Sequence, residues 1–153
     1  MRIDFAKLTA ADGMKGDSVE DTKLLRGMLH EAHNFLLSFA WCKEIVGSYF
    51  GLGIGGIVAV FLFKIEPAEQ KVDRWLWVVV GDLPPAYLVT DNSPNAKSAL
   101  KAYVAEMEEW IQAVRSGKST VSKIPLNVPP TVENAARLDK RLGFLRAHIL
   151  KRE

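Results

Sequence analysis

From residue 18 to about 39, apolar side chains fall at Leu25, Met28, Leu29, Ala32, Phe35, Leu36 and Phe39, while Lys23, Arg26, His30, Glu31 and Asn34 take the other positions. Spacings of three and four return a side chain to one face of a helix, so the segment predicts an amphipathic helix. Ser18, with Asp21 three residues later, reads as its N-terminal cap and sets the start near Val19. Residues 1–17 are expected to form an arm before it.

Between Trp41 and Thr90 the period changes, and β-branched and aromatic residues alternate with turn formers. Four strands are predicted at 43–50, 57–66, 73–80 and 86–89. Their connections are the glycine run 51–56, residues 67–71, and Gly81-Asp82-Leu83-Pro84-Pro85. Connections this short suit antiparallel neighbours, because a parallel pair needs a crossover of about a dozen residues, so the strands are expected to form a meander. In the second strand Ile57, Ala59, Phe61, Phe63 and Ile65 alternate with Val58, Val60, Leu62 and Lys64, and neither face is polar. Either helices cover one face and a partner the other, or the chain covers both.

Ser93-Pro94 reads as the start of a long helix with Ala96, Leu100, Tyr103, Val104, Met107, Trp110, Ile111 and Val114 on its core face and Gly117 as its stop. After the loop 118–130, Thr131 is expected to cap a last helix running to about 150, with Ala135, Leu138, Leu142, Leu145 and Ile149 as its apolar stripe. The order α-ββββ-α-α separates strands from helices. It predicts a single α+β domain over residues 1–153, a four-stranded antiparallel meander with an N-terminal helix and two C-terminal helices, and not a doubly wound α/β fold.

A chain of 153 residues, 48% of them hydrophobic, can bury a core without disulfides or a structural metal. Its lone thiol, Cys42, has no internal partner, and Arg2, Asp4, Lys7, Asp12 and Lys15 interrupt the stretch that a signal peptide would keep apolar. A reducing, cytoplasmic setting is expected. The 19 uncharged residues 45–63, with Gly47, Gly51 and Gly55 four apart, raise a transmembrane helix as an alternative. Five glycines in that stretch, the flanking Lys43, Glu44 and Lys64, and a neighbouring apolar run at 75–80 that wants strand partners argue for extended chain and no membrane.

The net charge of +2 is unevenly spread: residues 1–114 hold 11 basic and 15 acidic side chains, residues 115–153 hold 9 and 3. Such asymmetry points the search toward anionic partners. On the last helix Arg137, Lys140, Arg141, Phe144, His148 and Lys151 project within roughly 100° of one another, opposite the apolar stripe. Solvation and the helix dipole account for cations near a helix C-terminus. They account least for Phe144, and an aromatic side chain among cations suits an anchor at a protein interface. Nucleic acid ranks behind a protein as the occupant of this face.

The remaining motifs have plain structural readings. Gly51-x-Gly53-x-x-Gly56 lacks the dinucleotide fingerprint's context, since a strand former follows where a helix is needed, and it reads as a hairpin connection with positive φ. His30-Glu31-Ala32-His33 spaces its histidines by three and offers no third ligand, so it reads as a solvated helix face and no metal is expected. Cys42 would need a histidine in contact to act as a nucleophile and reads as a small buried hydrophobe. No catalytic residue and no cofactor are assigned. A second candidate site is a small-molecule cleft between sheet and helices, lined by Tyr49, Phe61, Trp75, Trp77 and Tyr87 with Asp82 at its rim.

Taken together, Trp-Val-Val-Val-Gly-Asp-Leu-Pro-Pro-Ala-Tyr-Leu at 77–88, the helix containing Leu100 to Val114, and Asn127-Val128-Pro129-Pro130-Thr131 resemble a family of small bacterial proteins of unknown function. The resemblance implies no activity and no catalytic residue. The expected function is therefore a non-enzymatic interaction module, adaptor-like or immunity-like, that binds another protein or a second copy of itself. Its physical motive is the apolar surface left if the helices cover one sheet face only. The alternative is a small-molecule-binding protein or small enzyme using the aromatic cleft.

Overall fold

The fold is that of a computed structural model, which describes residues 3–150. Two apolar sets alternate along the central strands, and each set has its own helical cover. The element order is β1 (Thr9–Ala10), α1 (Val19–Leu37), β2 (Cys42–Ile54), β3 (Val58–Pro67), β4 (Trp75–Gly81), β5 (Ala86–Val89), α2 (Ala96–Arg115) and α3 (Val132–His148), with short 3-10 turns at Phe5–Lys7 and Ala11–Gly13. The sheet order is β1-β2-β3-β4-β5, and every neighbouring pair is antiparallel. The expected meander is thus present with one strand more than predicted: Thr9 and Ala10 of the N-terminal arm pair with Phe50 and Tyr49.

One face of β3 and β4 carries Val58, Val60, Leu62, Trp77 and Val79, which pack with α2 and the apolar stripe of α3. The opposite face carries Ala59, Phe61, Phe63, Ile65, Leu76, Val78 and Val80 beneath Leu25, Met28, Ala32 and Leu36 of α1. Fully burying a Val, Leu, Ile or Phe side chain contributes about 1.5–3 kcal/mol, which is why strands apolar on both sides require two covers. The chain supplies both, so among the described residues β3 and β4 leave no uncovered apolar face of the kind that motivated a dimer through the sheet. Residues 45–63 form parts of β2 and β3 and the turn between them, and among the described residues no helix is long and apolar enough to cross a membrane.

The helix starts follow capping chemistry. Ser18 Oγ accepts from the Asp21 amide at 3.0 Å, and Thr131 Oγ1 accepts from the Asn134 amide at 3.1 Å. Asp21 does not close the reciprocal half of a capping box: its carboxylate accepts from the amides of Asp17 at 2.8 Å and Gly55 at 2.6 Å, fastening α1 to the β2–β3 turn. Ser93 is not the cap of α2. Asn95 is, in a capping box with Ser98, while the Ser93 carbonyl accepts from buried Trp77 Nε1 at 2.8 Å. The helix stops at Gly117, as expected.

The glycine run also departs from expectation. Gly51 and Gly53 lie inside β2, and of the run only Gly56 has a positive φ. A Cβ on Gly51 would come within 2.5 Å of Ala96 Cβ at the start of α2, and one on Gly53 within 2.8 Å of Leu25 Cδ2 on α1. A bulge between Phe50 and Leu52 breaks the alternation, so nearby glycines admit helices pressed against opposite faces.

Candidate interaction cleft

The site begins with the backbone of the β4–β5 connection. Gly81 adopts φ +146°, a conformation open to glycine, and a Cβ there would collide with the Ile57 carbonyl oxygen. That close approach lets the Asp82 amide donate to Ile57 O at 3.0 Å, so the β2–β3 turn and the β4–β5 loop meet side by side. Pro84 is held from the other side, its carbonyl accepting from Tyr103 Oη of α2 at 2.6 Å. Burial keeps the Tyr103 phenol protonated far above its ordinary range, so this bond persists across all ordinary pH.

Against this corner lies α3, positioned by its buried stripe Ala135, Leu138, Leu142 and Leu145 and by an ion-pair cluster with α2. Arg146 reaches Glu108 at 2.6 Å and Asp139 at 3.3 Å, and Asp139 also meets Arg115 at 3.4 Å. Exposed pairs of this kind are worth about 0–1 kcal/mol each, so they trim the angle of α3 more than they hold it. Arg146 therefore belongs to the structure of the helix pair, and the basic surface of α3 is carried by other residues.

Between α3 and the corner opens a cleft of about 630 Å³ lined by Ile57, Asp82, Leu83, Arg137, Lys140, Arg141, Phe144 and Leu145. Its floor is apolar and its walls carry three cations against one carboxylate. Asp82 is paired with Arg141 Nε at 3.2 Å, whereas Arg137 and Lys140 have no side-chain ion pair among the described residues. Phe144 is 39% exposed and packs against His148 with ring centroids 4.4 Å apart. The cleft thus combines Arg137, Lys140, Arg141 and Phe144 from the basic face with Asp82 from the other candidate set. Lys151, placed on the same face by the sequence, lies outside the described residues.

The aromatic small-molecule site expected from Tyr49, Trp75, Trp77, Tyr87 and Asp82 does not assemble. Trp77 is wholly buried core. Tyr49 and Trp75 lie at the far end of the α2 face, where Phe5 of the arm packs edge-on against both at 5.8 and 5.3 Å and Lys64 Nζ stands 5.6 Å from the Trp75 ring. Tyr87 faces the α1 side, among Phe35, Phe39 and Trp41. Strand alternation puts Tyr87 on the opposite face from the rings of Tyr49, Trp75 and Trp77, Trp77 is sealed in the core, and Asp82 stands at the α3 cleft instead.

The other candidate chemistries lose their geometry as well. His33 Nε2 is hydrogen bonded to Ser48 Oγ at 2.9 Å and its ring packs on Phe63 at 5.1 Å, so it points to β2 and β3 and not outward beside His30. Burial, assisted by the nearby His30, holds its pKa below the ordinary value. Among the described residues no three His, Cys, Asp or Glu side chains gather in a way that could hold a metal ion. Cys42 is buried, and burial pushes its thiol pKa up, away from the thiolate a nucleophile requires. Sequence reasoning missed Ile57 and Leu83 as the cleft's apolar floor. No local pattern marks them, because they come together only through the contact at Gly81. Comparison with known proteins gives no match: no family, no curated protein and no solved structure is similar to the chain.

Proposed function

We propose that the chain is a non-enzymatic interaction module, working in a reducing, cytoplasmic setting, that receives an acidic segment of a protein partner in the cleft between α3 and the β4–β5 loop. The observation that carries this reading is the co-location of Arg137 and Lys140, without a side-chain ion pair among the described residues, with half-exposed Phe144 and the apolar Ile57, Leu83 and Leu145. Arg and aromatic side chains at the rim of an apolar depression are the composition of interface anchors, and the excess positive charge selects an acidic complement. A protein is favoured over nucleic acid because Asp82 sits inside the cleft and occupies Arg141, where a phosphate backbone would meet repulsion and need a longer cationic track.

The test is affinity capture followed by reconstitution with the purified partner, using the wild type, an Arg137→Glu/Lys140→Glu double variant and Phe144→Ala. All substituted residues are exposed, so circular dichroism should be unchanged. The expected result is a nuclease-resistant protein partner, a second copy of the chain included, whose reconstituted binding weakens at least about tenfold in each variant. A partner held equally by all three proteins, or retention abolished by nuclease, overturns the reading.

A further inference from the structure

A second cleft, of about 460 Å³, shares no lining residue with the α3 cleft and is built for the opposite charge. It lies where the end of α1 meets β5, the middle of α2 and the loop before α3. Phe35, Phe39 and Tyr87 give it aromatic walls, Pro85, Ile124 and Leu126 close it with apolar surface, and Glu106 supplies its carboxylate. Trp41 backs the walls, stacked on Phe39 at 5.0 Å and edge-on to Tyr87 at 5.0 Å, so the rings hold one another in place. Glu106 forms no ion pair among the described residues. Lys123, on the loop before α3, is engaged by Glu109 at 3.6 Å.

We propose that this cleft binds a small organic cation, specifically a methylated ammonium group, with the rings of Phe35, Phe39 and Tyr87 facing it and Glu106 balancing its charge. Aromatic faces attract cations through the ring quadrupole, and the attraction grows when both are removed from water. The degree of methylation follows from the polar inventory of the walls. A primary ammonium brings three N–H donors that must be satisfied, and here the lining side chains offer the Glu106 carboxylate, the Asn127 amide oxygen and the Tyr87 hydroxyl against a larger aromatic and aliphatic surface. A quaternary ammonium has no donors and leaves none unsatisfied, so an aromatic and aliphatic wall with one carboxylate suits it better. Burial and the neighbouring Glu109 raise the pKa of Glu106. The inference is independent of the interaction reading of the α3 cleft.

The experiment titrates the full chain with choline chloride, with 3,3-dimethyl-1-butanol as the uncharged isostere and with ethanolamine hydrochloride as the primary amine. Sodium chloride keeps ionic strength constant, and calorimetry and tryptophan fluorescence report binding. Choline should bind about tenfold more tightly than either analogue. Glu106→Gln, on the surface, and Phe39→Leu, which keeps apolar volume but removes the ring, should each reduce choline affinity by about tenfold with unchanged circular dichroism. Equal binding of choline and its neutral isostere, tighter binding of ethanolamine, no binding of choline at 20-fold the concentration of a millimolar site, or insensitivity to both substitutions overturns the proposal.

Discussion

Replacing Gly51 with alanine puts two effects of opposite sign in competition, and the geometry decides which wins. Gly51 is not among the residues with positive φ, so alanine fits its backbone. By restricting the unfolded chain alone, such a change stabilises a protein by about 0.4–1 kcal/mol. The added Cβ, however, would lie 2.5 Å from Ala96 Cβ and 3.1 Å from the Val60 carbonyl oxygen, where carbon pairs prefer about 3.5–4.0 Å. Ala96 cannot retreat easily: it is the first residue of α2, behind the Asn95–Ser98 capping box and close to Ser93, whose carbonyl is bound by Trp77. Overpacking of this kind costs about 1–3 kcal/mol and outweighs the entropic gain.

The partner substitution separates this packing argument from a general intolerance of β2. Ala96→Gly alone should cost up to about 1 kcal/mol in helix propensity and lost burial. In the double variant Gly51→Ala/Ala96→Gly the methyl group changes sides of the contact and the clash with Ala96 disappears, leaving only the milder 3.1 Å approach to the Val60 carbonyl, so the pair should be more stable than Gly51→Ala alone by about 1 kcal/mol. Gly27 supplies the control, since it is exposed on α1 with nothing within 4 Å of an added Cβ, and Gly27→Ala should stabilise by about 1 kcal/mol. Urea unfolding followed by tryptophan fluorescence measures all four variants. Additivity of the two single changes within about 0.5 kcal/mol would refute the close-approach account of the glycine run.

Two further outcomes follow from bonds already described. Asp21→Ala removes a carboxylate that accepts from two backbone amides at a helix N-terminus, one of them on the β2–β3 turn, and should lower stability by about 2 kcal/mol in urea unfolding; a loss under about 0.5 kcal/mol would show that water replaces these bonds without cost. His33 has a folded pKa below its ordinary 6.5, so the unfolded chain takes up its proton first and stability falls with pH from about 6.5 down through the lower folded value; the stability difference between wild type and His33→Gln should shrink as pH drops from 8 to 5, and a difference that stays constant or grows contradicts it.

How far the fold was legible depends on whether local chemistry or a distant contact decides each feature. The faces of α2 and α3 were readable because a buried stripe at spacings of three and four leaves few alternatives, and Ser18 and Thr131 act as caps where an apolar periodic segment begins. The start of α2 was not readable to the residue. Asp91 through Asn95 is an unbroken run of turn and cap formers, and the choice of Asn95 over Ser93 is fixed by the bond from Trp77, sixteen residues away. Glycines inside β2 looked like a connection because their value lies in what they fail to place in the path of α1 and α2. β1, with two residues, is too short to carry any pattern and exists through its pairing with Tyr49 and Phe50.

The site was legible by half. The helical wheel of α3 identified its cationic and aromatic wall, but the opposite wall comes from residues 57 and 81–83, joined by the backbone contact at Gly81. Covering both faces of the sheet also moves the place where a partner must be sought. With β3 and β4 sealed between α1 and α2, no extended apolar face remains on these central strands, and the exposed large apolar residues among those described lie on α1, β2, β5, α3 and the connecting segments. Single exposed apolar side chains are ordinary on any surface and need no explanation. Phe144 differs in what surrounds it, because it lines the α3 cleft beside Arg137 and Lys140, which have no side-chain ion pair among the described residues. The contact surface proposed above is therefore a small charged corner with one aromatic anchor, and its affinity for an acidic partner should fall steeply with added salt.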